Sequence, residues 1–194
     1  PFEKKPQKIL STQNLKIPIP PKKITSQKNI QNFIKEVAYL RKNGNKLSES
    51  KNYEVFFAPA NEIPNLLDEI GRLREITFRD IGEGTNKSID LDKFDEYYHH
   101  LFLWDQKENA LAGAYRMGLG KDIYKKYGIK GFYIQTLFRL EPELHGMMEK
   151  TIEMGRAFVI KEYQQKPMPL FLLWKGIVHI TIRYPEYKYL MGGV

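Results

Sequence analysis

The stretch Thr151–Arg183, TIEMGRAFVIKEYQQKPMPLFLLWKGIVHITIR, organises the rest of the chain. Its first part, Met154 to Ile160, reads as a strand with Glu153 and Arg156 at its entrance. A polar turn follows from Lys161 to Lys166. Pro167 to Arg183 is then the most apolar helix candidate in the sequence, with Leu170 to Trp174, Ile177, Val178 and Ile180 spread nearly all round it. Such a helix is expected to be buried against a sheet, while Lys175, His179 and Arg183 argue against a membrane span. A strand, a short polar connection and a helix N-terminus make a place where backbone N–H groups face an oxyanion or phosphate. Charged residues at the lip of a buried strand are costly unless something uses them. A site is therefore expected here.

Glu153 and Arg156 are three apart, and in a regular strand such residues point to opposite faces. They share one pocket only if a bulge adds a residue, and Gly155 between them would permit one. The alternative is an ordinary structural ion pair.

Working outward, the order is strand, helix, hairpin, strand, helix, strand, a mixed α/β domain around one sheet. A helix is expected from about Ser26 to Lys42 and a first strand from Tyr53 to Ala58. The next helix, capped by Asn61, runs to about Phe78 with Ile63, Leu66, Leu67, Ile70, Leu73 and Ile76 on its buried side. Arg74 and Phe78 share one face of it. Arg79 to Glu96 is a long Gly/Asp/Asn-rich loop, a kind that is either functional or disordered. His100–Asp105 and Ala110–Met117 alternate as a hairpin. Lys121–Tyr127 and Glu141–Lys150 read as short helices, and Tyr187–Val194 as a last strand.

The chain has 194 residues and a formal net charge of +8. The first 51 residues hold twelve Lys/Arg against three Asp/Glu, and the remaining 143 hold 19 against 20. The basicity thus belongs to an arm, and residues 1–24, with five prolines and scattered Lys, read as a linker ahead of a domain over 25–194. The arm suits an anionic lipid surface or an acidic partner. Nothing interleaves basic and aromatic residues as nucleic-acid binding requires. No cysteine is present, which removes disulfides, thiolate metal sites and acyl-cysteine chemistry and is compatible with a reducing cytoplasm. A start at Pro1 suggests a piece of a longer chain.

Candidate polar residues are Asp90, Asp92 and Asp95 in the loop, the pair His99–His100, and Tyr115–Arg116 in a strand. Asp92 and Asp95 are metal ligands or solvated loop acids; no metal pattern accompanies them. Of the adjacent histidines one faces the sheet interior, for packing or for catalysis. Arg116 needs a carboxylate if buried, with Asp92, Asp95 and Glu153 in reach.

The run Arg74-x-x-x-Phe78, Asp92-x-x-Asp95, Arg116, Glu153-x-x-Arg156 resembles the set found in acyl-homoserine-lactone synthases. A closer resemblance is to the bacterial N-acyltransferases of aminolipid synthesis, the first acyltransferases of ornithine and glycine lipids, often called hemolysin-like. The words that carry it are HLFLWD, GAYRMG, GFY, EMGRAFV, EYQ, LLWKGI and YLMGGV, over about residues 53–194. The resemblance implies a GNAT-like fold with a mainly antiparallel central sheet flanked by helices, its last strands cut short here. It implies a (3-hydroxy)fatty acyl donor on acyl carrier protein, with acyl-coenzyme A as the alternative, an amino-acid acceptor, and no bound cofactor or metal. It also implies a place in the cytoplasm or on the inner membrane surface, and fusion in some members to a glycerolipid O-acyltransferase domain. The run IKEYQQK stands where a coenzyme A pyrophosphate loop would be, and Arg79–Asp90 lacks the tryptophan of the lactone synthases.

Carried onto this sequence, Glu153 is the general base, and N–H groups of Ala157, Phe158 and Val159 are oxyanion donors at the acyl-donor site. Arg156 and Arg116 hold the acceptor carboxylate or organise the loop acids. Asp92 and Asp95 position the ammonium, His100 and Tyr115 line the substrate site, and Arg74 and Phe78 order the loop over the acyl chain. The helix after Lys166 is the apolar wall of that chain. A signal-lactone synthase and a non-catalytic docking module remain the alternatives.

Overall fold

A computed structural model of the chain describes residues 20–192. In order it contains α1 (Ile30–Lys42), β1 (Lys46–Ser50), β2 (Tyr53–Pro59), α2 (Pro64–Asp80), β3 (His99–Asp105), β4 (Ala110–Leu119), α3 (Gly120–Tyr127), α4 (His145–Met148), β5 (Thr151–Val159), α5 (Lys161–Gln164), α6 (Pro167–Arg183) and β6 (Tyr189–Gly192). The strands form one six-stranded sheet in chain order. Neighbours are antiparallel except β5 and β6, which run parallel. Antiparallel neighbours need only short connections, whereas the parallel pair requires a crossover, and α6 supplies it. This is the expected mixed α/β sheet flanked by helices.

The two faces of the sheet are covered differently. On one, α6 packs Leu172, Leu173, Ile177 and Ile180 against Val55, Phe57, Leu101 and Leu103. Gly176 makes the approach close: a Cβ there would lie 2.8–2.9 Å from side-chain carbons of Leu101 and Val55. On the other face α1 and α2 pack Phe33, Val37, Leu40, Leu66 and Ile70 on Phe56, Phe102, Trp104 and Ala114. Strands β2 and β3 are covered on both sides, which is why YEVFFA and HLFLWD are nearly continuous apolar runs.

Several sequence expectations need correction. The helix after Lys166 has the expected bounds but buries only one side; Leu170, Phe171, Trp174, Val178 and Ile182 are exposed. Strand β1 was not anticipated, because KLSES, an edge strand, has no apolar alternation to reveal it. Asn61 does not cap α2. The first N–H groups of that helix, on Asn65 and Leu66, instead donate to the Glu36 carboxylate of α1, each at 2.8 Å. The Lys161–Lys166 turn contains the single helical turn α5. After α3 the chain makes two 3₁₀ turns, Gly128–Gly131 and Tyr133–Thr136. Of the basic arm, residues 1–19 lie outside the described residues; beyond them Lys22 and Thr25 donate their N–H to the carbonyls of Asn86 and Ser88.

The long loop is tied down from α2. Glu75, fully buried, accepts from the N–H and hydroxyl of Thr85 and from Arg79. The Asp90 N–H donates to Gly71 O at 3.1 Å. An ordered loop of this length brings its three aspartates to fixed positions over β4 and β5.

Candidate active site

Strand β5 carries the irregularity on which the site depends. In its register with β4, Ala114 faces Phe158 and Arg116 faces Gly155, so two steps on β4 match three on β5. The extra residue is a β-bulge. The residue that bends the backbone is Arg156 at φ 51°, not Gly155. A left-handed arginine is a strained choice, costing roughly 1–2 kcal/mol. Its effect is that Glu153 and Arg156 line the same cavity, of about 440 Å³, together with Phe78, Tyr98, Arg116 and Tyr133.

Glu153 is 4% exposed. Its Oε1 accepts from Ile134 N at 2.6 Å and its Oε2 from Tyr133 N at 3.0 Å and from the Tyr98 hydroxyl. A carboxylate has about four acceptor positions, so three are filled and one is left. Tyr98 reaches over β4 because residue 118, paired with Glu153, is glycine: a Cβ there would stand 2.5 Å from the Tyr98 ring. Burial, and next the Glu153 carboxylate, hold the Tyr98 phenol far above its ordinary value. It stays a neutral donor to Glu153.

Behind this carboxylate lies a ladder of alternating charge. Arg74, 1% exposed, donates from Nε to Asp90 Oδ2 at 2.9 Å and from Nη1 and Nη2 to Asp95 at 3.1 and 2.9 Å. Arg116 Nη1 donates to Asp92 Oδ1 at 2.7 Å and Asp95 Oδ2 at 3.2 Å. Arg156 Nη1 lies 3.3 Å from Asp90 Oδ2. Burial alone would raise the Asp95 carboxyl, but Arg74, then Arg116 and His100, bring it down to about 2. Arg116 is held above its ordinary value by Asp95 and Asp92, against the opposing effect of burial. Both guanidinium groups that reach the cavity stack on Tyr133, Arg116 at 4.8 Å and Arg156 at 5.7 Å from its ring centre. Arg156 Nε is buried and has no hydrogen-bond partner among the described residues.

A second cavity, of about 320 Å³, shares Phe78 and Ala157 with the first and continues along β5 past Ile81, Phe158, Val159 and Leu170. Strand β6 pairs with β5 only from Thr151 to Met154. From Gly155 onward the outer edge of β5 has no strand partner among the described residues. Ile160 N donates inward to Ala112 O at 3.0 Å, so alternation turns the Val159 N–H outward along that edge.

The expected site residues therefore divide. Glu153, Arg116, Arg156 and Phe78 surround one cavity, and Ala157, Phe158 and Val159 line the adjoining one. Asp92 and Asp95 do not line either cavity; both Asp95 oxygens and Asp92 Oδ1 accept from Arg74, Arg116 and loop N–H groups, so these acids hold arginines. Arg74 is buried in the ladder, away from any acyl channel. His100 is fully buried, with Nε2 against Asp95 O at 3.1 Å, and supports the loop instead of meeting substrate. Burial, partly offset by Asp95, lowers it to about 4. Tyr115 faces the α6 side, as the neighbour of Arg116 in a strand must. Of α6, Leu170 lines the second cavity and no other residue of the helix does, so the helix body is not its wall.

Sequence reasoning missed Tyr98 and Tyr133 and left Asp90 without a role. Tyr133 lies inside the GFY word, but nothing in its spacing from Glu153 announces a backbone contact. Among the described residues no His/Asp/Glu group has a metal-holding arrangement.

A family profile described as "Acetyltransferase (GNAT) domain" matches residues 73–174, which includes the ladder, the bulge and the start of α6. A glycine N(alpha)-acyltransferase of Bacteroides thetaiotaomicron is 32% identical over 160 residues, covering 77% of this chain and 48% of that protein. One of Phocaeicola vulgatus is 32% identical over 158 residues, covering 76% and 48%. The chain spans about half the length of these curated relatives. No solved structure matches. A mainly antiparallel sheet with a bulged strand opening onto a cavity, and a profile match over more than half the chain, lead to one conclusion: the chain belongs to the GNAT acetyltransferase family.

Proposed function

We propose that this chain transfers a fatty acyl group, 3-hydroxylated in the form we favour, from an acyl carrier protein thioester to the amino group of a small amino acid, as a step of bacterial aminolipid synthesis. Glycine is the first acceptor to test, since the curated relatives are glycine acyltransferases. One observation carries the reading. Glu153, Arg116 and Arg156 converge on a cavity that opens into a second one along the edge of β5 that has no strand partner among the described residues.

In this reading the acceptor carboxylate meets Arg156, whose buried Nε lacks a partner, and Arg116, since guanidinium forks suit carboxylates. The ammonium loses a proton to the free position of Glu153, directly or through a water. The amine nitrogen attacks the thioester carbonyl, and the outward Val159 N–H faces the oxyanion. Collapse breaks the C–S bond and the carrier thiolate leaves, taking up a proton. The apolar second cavity, between Phe78, Ile81, Phe158 and Leu170, takes the acyl chain. Coenzyme A is the alternative donor. A carrier-protein donor places the reaction in the cytoplasm, at the inner membrane surface where the product is used.

The test is free-thiol release from 3-hydroxyacyl carrier protein with glycine, ornithine, lysine or serine added singly, followed by the product mass. Amine-dependent release is expected, reduced about 10²–10⁴-fold in Glu153→Gln. An intact donor that releases no thiol with any amine rejects the proposal.

A further inference from the structure

Helix α6 turns Pro169, Leu172, Leu173, Gly176, Ile177 and Ile180 toward the sheet. Its opposite side is not polar. Phe171, Trp174, Val178 and Ile182 follow one another at spacings of three and four, on one stripe, and are 60, 60, 51 and 73% exposed. Scattered apolar residues on a surface need no explanation, but a continuous line of large ones marks a contact. The charges beside it have one sign. The helix contains no Asp or Glu, and Lys175, His179 and Arg183, each four apart, border the stripe on one side. Glu162 and Glu186 lie beyond its two ends.

We propose that this face of α6 lies on an anionic lipid bilayer, with the helix axis parallel to the membrane plane. Phe171, Trp174, Val178 and Ile182 enter the boundary between headgroups and acyl chains, and Lys175 and Arg183 meet lipid phosphates. Three features favour lipid over a protein partner. An apolar stripe centred on Trp and bordered by cations is the composition of interfacial helices. Among the described residues no helix is long and apolar enough to cross a membrane, so this one lies on the surface. Finally, Leu170 is 52% exposed at the N-terminal end of the helix and also lines the second cavity, which makes the surface apolar from the stripe to the cavity. A protein seated there would close that cavity. This last argument rests on the acyl-transfer reading; the stripe and its charges do not.

The experiment reads lipid binding without any turnover, so its failure and that of the proposed reaction are separate. The chain has two tryptophans, and Trp104 is 1% exposed in the core. A lipid-dependent change in emission therefore reports Trp174. With mixed phosphatidylglycerol–phosphatidylcholine vesicles, emission should shift to shorter wavelength and the protein should sediment with the lipid. Binding should be about tenfold weaker on phosphatidylcholine alone and should weaken with salt. Phe171→Ser/Trp174→Ser should abolish sedimentation with the thermal midpoint unchanged, since both side chains are exposed. Three results overturn the proposal: no binding to any vesicle, undiminished binding of the double variant, or a concentration-dependent dimer that the double variant abolishes. The second would move the contact to another surface, such as the basic arm. The third would make the face a contact between copies of this chain.

Discussion

The α6 face of the sheet and the part of the other face that covers β4 and β5 are held together in opposite ways. The α6 face is hydrocarbon on hydrocarbon, Leu172, Leu173, Ile177 and Ile180 against the side chains of β2 and β3. The other face, where α2 and the long loop cross β4 and β5, buries Arg74, Asp90, Asp95, Arg116 and Glu153. Apolar burial is favourable wherever it occurs. A buried ion pair often does no better than apolar residues of the same shape. The α6 face, like the packing of α1 and α2 on β2 and β3, is therefore stabilised by apolar burial, whereas the charged patch over β4 and β5 fixes geometry at the expense of desolvating its arginines and aspartates.

That contrast can be broken most sharply by paired truncations. Leu173→Ala on the α6 face should cost about 2–5 kcal/mol, leaving turnover per folded molecule unchanged. Asp95→Ala should cost about 3–5 kcal/mol, because Arg74 and Arg116 are left buried without it, and should lower turnover as well. Urea unfolding at neutral pH and rates on the folded fraction measure both. Equal retention of activity in the two variants would mean that the ladder is only scaffold.

The next effect sharpens the comparison through pH. His99 stacks on Phe57 at 4.8 Å on the α6 face, and His100 lies under the ladder. Burial lowers both to about 4, with Asp122 partly opposing at His99 and Asp95 at His100. Between about pH 6.5, the unfolded value, and pH 4 the unfolded chain binds more protons. Stability should therefore fall as the pH is lowered through that window. Asp95 acts in a separate one: its folded value near 2 gives stability that is full above about pH 4 and lost as the pH falls toward 2. His99→Phe, which keeps a ring against Phe57, should remove about half of the slope between pH 6.5 and 4 in urea midpoints. An unchanged slope would assign the dependence to His100 and the charged face alone.

The smallest effect on stability falls at the bulge. Arg156→Gly removes the left-handed strain of roughly 1–2 kcal/mol while losing the contact with Asp90 and the restraint of a side chain on the unfolded state. Stability should stay within about 1 kcal/mol, while amine-dependent turnover drops. A variant that keeps full turnover would remove Arg156 from the site.

Much of the architecture was legible because it is written in apolar periodicity. The bounds of α6 and the β3–β4 hairpin follow from it directly. Strand β1 was not legible, since an edge strand made of KLSES takes its order from β2 rather than from its own pattern. The Asn61 cap failed for a related reason: the group that satisfies the start of α2 is Glu36, far away in sequence. At the site, Glu153 and Arg156 could be paired from sequence only by supposing a bulge, and glycine was the natural residue to place there. The structure puts the strain on Arg156 instead. The pairing of Arg116 with Asp92 and Asp95 was legible because a buried arginine needs carboxylates; that Arg74, far away on α2, also holds Asp95 was not, since spacing does not show it. Tyr98 and Tyr133 act through a hydroxyl and a backbone N–H, which leave no spacing to read.

The bulge in β5 also divides that strand into two reading frames. Ahead of it the even residues Ile152 and Met154 face α6; beyond it the even residue Phe158 faces α2, and the odd residue Val159 faces α6. One inserted residue has exchanged inside for outside along half a strand. Deleting a single residue between Met154 and Phe158 would therefore do more than shorten the site. It would remove the bulge and leave a plain strand in which Glu153 and Phe158, then four apart, keep their common layer, so what is lost is the left-handed turn at Arg156.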